Sequence, residues 1–197
     1  MAASFARQPC FPIPDFRFLI SVLDFARNHF ELFGLPPRYA IDAAALDAAY
    51  RELQRSVHPD RHATSDDASR RMALQAAARV NEAYRTLGDP VERARYLLSL
   101  RGVDAFDAND TALDLDFLER QLERRERAAS AAAAHDAGGR EMLLDEVRRE
   151  AAEMQATLGE LLDAPGSTDA ARERVRALRF LDKLADDLDE MAAQVTS

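Results

Sequence analysis

The chain has 197 residues, a formal net charge of −9 and a single cysteine, Cys10. This length suits one large domain or two small ones, and 47% hydrophobic residues with only seven glycines favour a packed, helix-rich structure. One cysteine excludes an internal disulfide framework and a cysteine-rich zinc or iron–sulfur site, and it favours a reducing cytosol. The acidic balance disfavours binding to a nucleic-acid backbone.

Residues 1–28 lack the regular pattern of the later chain, and we expect a weakly ordered extension there. The apolar stretch from Phe16 to Phe25 is interrupted by charges and is too short for a membrane span. Pro12 and Pro14, together with the missing small-residue cleavage site, disfavour a signal peptide, and basic residues are too few for a transit peptide. We therefore predict a cytoplasmic protein that does not associate with membranes.

Four helices are predicted in the first half of the patterned chain. Asp42 is a favoured N-cap residue for the second of them, and Pro90 suits the first turn of the fourth. The third carries small and apolar residues at helical spacing, so we expect it to pair antiparallel with the second. The predicted ranges are about 29–33, 43–57, 68–87 and 90–100.

A polar, turn-rich segment at 103–113 predicts a linker. Beyond it, apolar residues step by three and four positions, as in the seam of a helical bundle. Breaks at 136–139 and 164–167 separate three predicted helices, at about 114–134, 140–162 and 168–195. Since no segment alternates like a strand, the predicted fold class is all-α, with domains at 29–102 and 114–197.

The tripeptide His58-Pro59-Asp60 lies between the second and third predicted helices. Proline ends the first of them and fixes the turn, so the two polar side chains project from a stiff corner. A metal site could use both of these and His62, but the turn breaks the helix that would align the histidines. A base and its orienting carboxylate would need a nucleophile, and none stands out. From the tripeptide alone, a plain interhelical turn is the favoured interpretation.

The surroundings of this corner resemble the J-domain family of co-chaperones. The matching residues are Tyr50, Arg51, Arg55, His58-Pro59-Asp60, Asn81, Ala83, Tyr84, Leu87, Asp89-Pro90, Arg93 and Tyr96. The resemblance covers about His29 to Leu100. It implies a unit that docks on a DnaK-type chaperone and triggers ATP hydrolysis there. It also implies that Tyr50, Arg51 and Arg55 belong to the chaperone-binding set, with the two arginines meeting an acidic surface and His58, Pro59 and Asp60 acting on the partner.

Further segments, at 29–36, 95–100, 117–123 and 178–184, resemble the HscB family of iron–sulfur cluster biogenesis. This resemblance spans about residues 29–195. It implies a J-domain at 29–102 joined in an L shape to a C-terminal three-helix bundle at 114–197. The bundle would bind the scaffold protein IscU and bring it to the chaperone HscA. The implied protein is not an enzyme and needs no metal or cofactor.

Three leucines lie within a narrow arc of the helix predicted at 114–134, with glutamates along its flank: Leu115, Leu118, Leu122, Glu119, Glu123 and Glu126. The pattern alone favours a core stripe with a solvated acidic border over an exposed strip for a partner. The family resemblance implies the exposed strip, with a scaffold-binding patch at Leu118, Leu122 and Phe180 and acidic residues at Glu123 and Glu126. Glu119, often apolar in the family, and Ser130, where an acid is expected, depart from that pattern.

Three alternatives stay open at this point. The first is a J-domain co-chaperone with a different client. The second is a metal-dependent enzyme built on His58, Asp60 and His62. The third is a helical nucleic-acid binder, which the charge of −9 and the lack of a dense basic stripe disfavour.

Overall fold

The computed structural model describes residue 24 and residues 27–58, 67–107, 113–164 and 166–195. These residues form seven α-helices and no strand, which confirms the all-α class for the described part of the chain. None of these helices has the length and apolar character needed to cross a membrane. The helices are α1 (His29–Leu32), α2 (Ala43–Val57), α3 (Asp67–Gly88), α4 (Pro90–Leu100), α5 (Leu115–Ala133), α6 (Ala137–Asp163) and α7 (Thr168–Val195).

Local capping determines where the helices begin. Asp42 accepts hydrogen bonds from two backbone N–H groups in the first turn of α2, at 2.9 and 3.2 Å. Asp89 accepts one from the N–H of Glu92 at 2.8 Å, and Pro90 follows it at the start of α4. Each cap satisfies N–H groups that have no partner within the helix. Both predicted starts are confirmed.

The start predicted for α6 is wrong by three residues, because the helix begins at Ala137 rather than at Arg140. Asp136 caps it by accepting the N–H of Gly139 at 2.9 Å, and the chain reverses at His135, where φ is 53°. A Cβ atom at Gly139 would collide with the capping carboxylate. The glycine pair predicted as a break is therefore part of the first turn, where it leaves room for the cap.

The chain divides into two compact units. The first contains α1, α2 and α3 as far as Arg85, and the second contains the loop Pro37–Ile41, the end of α3 and helices α4 to α7. The predicted domain ranges, 29–102 and 114–197, stay a prediction.

In the first unit, α2 and α3 run antiparallel. The Tyr84 hydroxyl donates to the Asp47 carboxylate at 2.7 Å, and the Tyr50 hydroxyl donates to Asn81 Oδ1 at 3.0 Å. Three residues forward on α2 thus correspond to three residues back on α3, which confirms the predicted pairing. The small-residue stripe of α3 is fully buried at Ala73, Ala76, Val80 and Ala83.

In the second unit, α4 packs against α6 and α7, and a loop residue, Tyr39, packs against these helices. The Tyr39 N–H donates to Asp163 Oδ1 at 3.3 Å, and the Arg93 guanidinium lies 5.0 Å from the centre of the Tyr39 ring. Gly159 of α6 permits this approach, since a Cβ atom there would lie 3.2 Å from the ring. Leucines of α6 and α7 supply the fully buried centre of the unit: Leu158, Leu162, Leu178, Leu181 and Leu188.

One carboxylate of the second unit lies in an unfavourable place for a charge. Asp182 of α7 is partly buried, and this burial, together with the nearby charges of Asp89 and Asp186, raises its pKa to about 6. Burial disfavours the ionised form, and like charges add to the effect.

Candidate functional site

The first unit presents a basic face on α2. Arg51 and Arg55, one turn apart, are both exposed, and the Arg55 side chain is 71% accessible. Arg55 pairs with Glu52 at 3.0 Å, and its Nε donates to the Arg51 carbonyl at 3.2 Å. An exposed ion pair of this kind holds its partners only weakly. Both arginines are therefore available to an acidic surface, as the chaperone-binding prediction requires.

Tyr50 has different surroundings from the two arginines. Its ring is half-buried and stacks on Tyr84, with ring centroids 3.9 Å apart and an interplanar angle of 18°. Its hydroxyl accepts a hydrogen bond from Gln54 Nε2 at 2.8 Å while donating to Asn81. Tyr50 therefore joins α2 to α3 on the residue next to Arg51.

His58 follows the last residue of α2 and is exposed. Its backbone is extended, with φ −60° and ψ 127°, so the helix ends at this residue. Pro59 and Asp60 lie outside the described residues, as does His62 of the alternative metal set. In the part of the chain that the structure describes, no three His, Cys, Asp or Glu side chains are grouped so that they could hold a metal ion.

Helix α5 of the second unit has reversed polarity, because it buries polar residues and exposes leucines. The buried residues of α5 are Phe117, Gln121, Arg124 and Ala128, so two of the four are polar. The exposed fractions of its leucines are 69% at Leu115, 39% at Leu118 and 61% at Leu122. An ordinary amphipathic helix buries its leucines and exposes its arginines. The interpretation of these leucines as a core stripe is therefore wrong.

An ion-pair network holds the buried face of α5 against α6. Arg124, only 8% accessible, pairs with Glu146 at 3.2 Å and also with Glu150, and Arg127 pairs with Glu146 at 2.9 Å. Burial acts to raise the pKa of Glu146, but the hydrogen bonds and charges of Arg127 and Arg124 outweigh it, and the pKa is lowered. Both carboxylate partners of Arg124 lie on α6, so this side of α5 faces α6. Sequence reasoning missed Arg124, although an arginine opposite a row of leucines was a readable signal.

Phe180 of α7 is an exposed aromatic side chain that touches α5. It is 40% exposed, and its ring meets the buried ring of Phe117 edge-on, with centroids 6.4 Å apart and an interplanar angle of 78°. This ring contact joins Phe180 of α7 to α5, the helix that carries the exposed leucines. We call the exposed apolar residues Leu115, Leu118, Leu122 and Phe180 the apolar strip.

An acidic border accompanies the apolar strip. Glu119, Glu123 and Glu126 are all exposed on the flank of α5, as the sequence predicted. The predicted scaffold-binding residues of the second unit are therefore all exposed, and their role stays a prediction. Leu115 lay in the predicted arc but was absent from the predicted site, and its exposure adds it to the surface.

Comparison with known proteins gives consistent matches. A family model described as the HSCB C-terminal oligomerisation domain matches residues 113–189, and the DnaJ domain model matches residues 28–96. The co-chaperone protein HscB homologues of Burkholderia thailandensis and Burkholderia multivorans are each 51% identical over 168 residues, which is 85% of this chain and 94% of theirs.

Solved structures agree with these matches. Chaperone HscB from Vibrio cholerae has a TM-score of 0.76 and 37% identity, covering 85% of this chain and 99% of that one. Human co-chaperone protein HscB has a TM-score of 0.76 at 24% identity, covering 84% and 82%, so that likeness concerns the fold alone.

Proposed function

Because this chain belongs to the HscB family of J-domain co-chaperones of iron–sulfur cluster assembly, we propose that it binds the scaffold protein IscU, delivers it to the DnaK-type chaperone HscA and stimulates the ATPase of that chaperone. The protein is then not an enzyme itself, because it changes the rate of a reaction carried out by its partner. We assign the J-domain to residues 29–102, the linker to 103–113 and scaffold binding to 114–197. The single cysteine supports a cytoplasmic site of action.

The observation that carries this proposal is the reversed polarity of α5. Exposing three leucines while burying Gln121 and Arg124 costs stability that a core stripe would have gained. Such an arrangement is reasonable where the leucines contact another protein. A row of large apolar side chains beside carboxylates fits a partner with an apolar surface and a basic border. The scaffold protein is the partner that the family suggests.

The first unit supports the second half of the proposal. Arg51 and Arg55 offer positive charge to the chaperone, and exposed His58 stands at the end of the same helix. Charges at the rim of an interface mainly steer association. We therefore assign docking to the arginines and the trigger of ATP hydrolysis to the corner that His58 begins.

The test is the steady-state ATPase rate of purified HscA as this protein is added. The wild-type protein should raise the rate several-fold, and His58→Gln should abolish that rise while keeping the melting temperature and the affinity for IscU, because His58 is exposed. The matched control is His135→Asn, which changes an exposed histidine in the turn between α5 and α6, where asparagine tolerates the positive φ. Full stimulation by His58→Gln would refute the proposed mechanism.

A second candidate is a J-domain co-chaperone with a different client. Glu119 favours it, since this charged residue stands on the flank of the apolar strip at a position where the family often has an apolar residue. Immobilised protein should retain IscU from a mixture with an unrelated acidic protein of similar size. Failure to retain IscU, with ATPase stimulation intact, would favour the different client.

A further inference from the structure

Leu74, an exposed apolar side chain of the first unit, has no role in the proposed scaffold binding. Leu74 of α3 is 56% exposed, whereas its neighbour Ala73 and the other members of the small-residue stripe are fully buried. Exposing a leucine this far gains nothing for the fold. A single exposed leucine needs no explanation by itself, so its position decides whether it has a role.

Leu74 lies at the same end of the helix pair as His58. It precedes Asn81 by seven residues, about two helical turns, so it occupies the edge of α3 that faces α2. The antiparallel register pairs Tyr50 with Asn81, and eight residues further along α2 the chain reaches His58. Leu74 is therefore nearly level with His58, the residue that follows the last residue of α2. Leu74 is thus exposed at the level where α2 ends at Val57.

The charges around this edge are mostly basic. Arg51 and Arg55 are exposed on α2, and Arg70 and Arg71 are exposed on the first turns of α3. Arg55 and Arg70 pair with Glu52 and Asp67 through exposed contacts, which a partner can replace at little cost. A partner that fits here has an acidic surface with an apolar depression. This agrees with the acidic chaperone surface that the proposed function assigns to Arg51 and Arg55.

We infer that Leu74 and the exposed edge of α3 around it form an apolar docking contact for the DnaK-type chaperone, next to the corner that begins at His58. The inference rests on the proposed function and assigns separate tasks within one surface. Leu74 contributes affinity for the chaperone, because it buries area only in the complex. The corner contributes the stimulation of ATP hydrolysis. Loss of Leu74 therefore weakens docking without changing the rate reached at saturation.

The experiment titrates purified HscA with wild-type protein, Leu74→Ala, Leu74→Met and Leu100→Ala, and records the ATPase rate. Leu74→Ala should raise the half-maximal concentration about fivefold with an unchanged maximal rate, from the partial burial of one leucine. Leu74→Met, which keeps the volume, should titrate like the wild type. Leu100→Ala is the matched control, since Leu100 is 45% exposed but lies in the second unit, at the end of α4. It should also titrate like the wild type.

The other possible results distinguish failure of the proposed function from failure of the inference about Leu74. If the wild-type protein does not stimulate HscA, the proposed function fails and the inference fails with it. If the wild type stimulates and Leu74→Ala titrates identically, only the inference is overturned. The same holds if Leu74→Ala instead weakens IscU binding, or if sedimentation shows that it abolishes a dimer, since the contact would then belong to the client or to a second copy. An unchanged melting temperature of Leu74→Ala excludes misfolding as the cause of a shift.

Discussion

The triple substitution Leu118→Ala, Leu122→Ala and Phe180→Ala should remove most of the binding energy that the apolar strip supplies to the scaffold protein. Complete burial of such a side chain is worth about 1.5–3 kcal/mol. The exposed fractions of the three are 39%, 61% and 40%, and this exposed part is what a partner can still bury. Together they amount to about 2–4 kcal/mol, so the Kd for IscU should rise by about 30-fold or more.

Isothermal titration calorimetry with purified IscU measures this change directly. The melting temperature should fall only slightly, because the three side chains already face solvent over much of their area. Leu100→Ala, which removes a comparably exposed leucine outside the strip, should leave the Kd unchanged. The reasoning is refuted if the triple variant binds within about threefold of the wild type, or if Leu100→Ala weakens binding as much.

Two further predictions concern the second unit. Arg124→Ala should lower the free energy of unfolding by about 3 kcal/mol in urea denaturation, because it leaves two carboxylates of α6 without their buried partner. Arg127→Ala, which removes an exposed partner of the same network, should cost less than about 1 kcal/mol, and equal losses would contradict this account. Asp182→Asn should raise the melting temperature more at pH 7.5 than at pH 4.5. The pKa of Asp182 is raised to about 6, so its destabilising charge is present above that pH and is lost below it. The same shift at both pH values would contradict the placement of that carboxylate.

Helix starts could be predicted from the sequence where they depend on residues close together in the chain. The start of α2 was predicted from Asp42 as its cap and the start of α4 from Pro90 in its first turn, and both signals act within a few residues of the helix start. The start of α6 was missed because Asp136 caps a helix with two glycines in its first turn, and glycines ordinarily indicate a break. The J-domain match was readable for a similar reason, since its motif lies within about 50 residues.

The orientation of side chains around the candidate site could not be read in the same way. Periodicity placed the leucines of α5 on one arc, but not on the exposed side, since that depends on Arg124 meeting Glu146 and Glu150 of another helix. Tyr50 illustrates the same limit. Its motif placed it with the chaperone-binding residues, which stays a prediction, but the sequence did not show that its hydroxyl donates to Asn81 of α3. Local rules fix helices, and contacts between helices fix which faces remain exposed.

The claim that one chain couples a client to a chaperone is tested most directly by ATPase rates measured in combination. HscA is assayed with this protein alone, with IscU alone and with both at concentrations below saturation. The account predicts that the rate with both exceeds the sum of the separate increases, because the apolar strip brings the client to the chaperone that the J-domain stimulates. A rate equal to that sum would contradict the coupling.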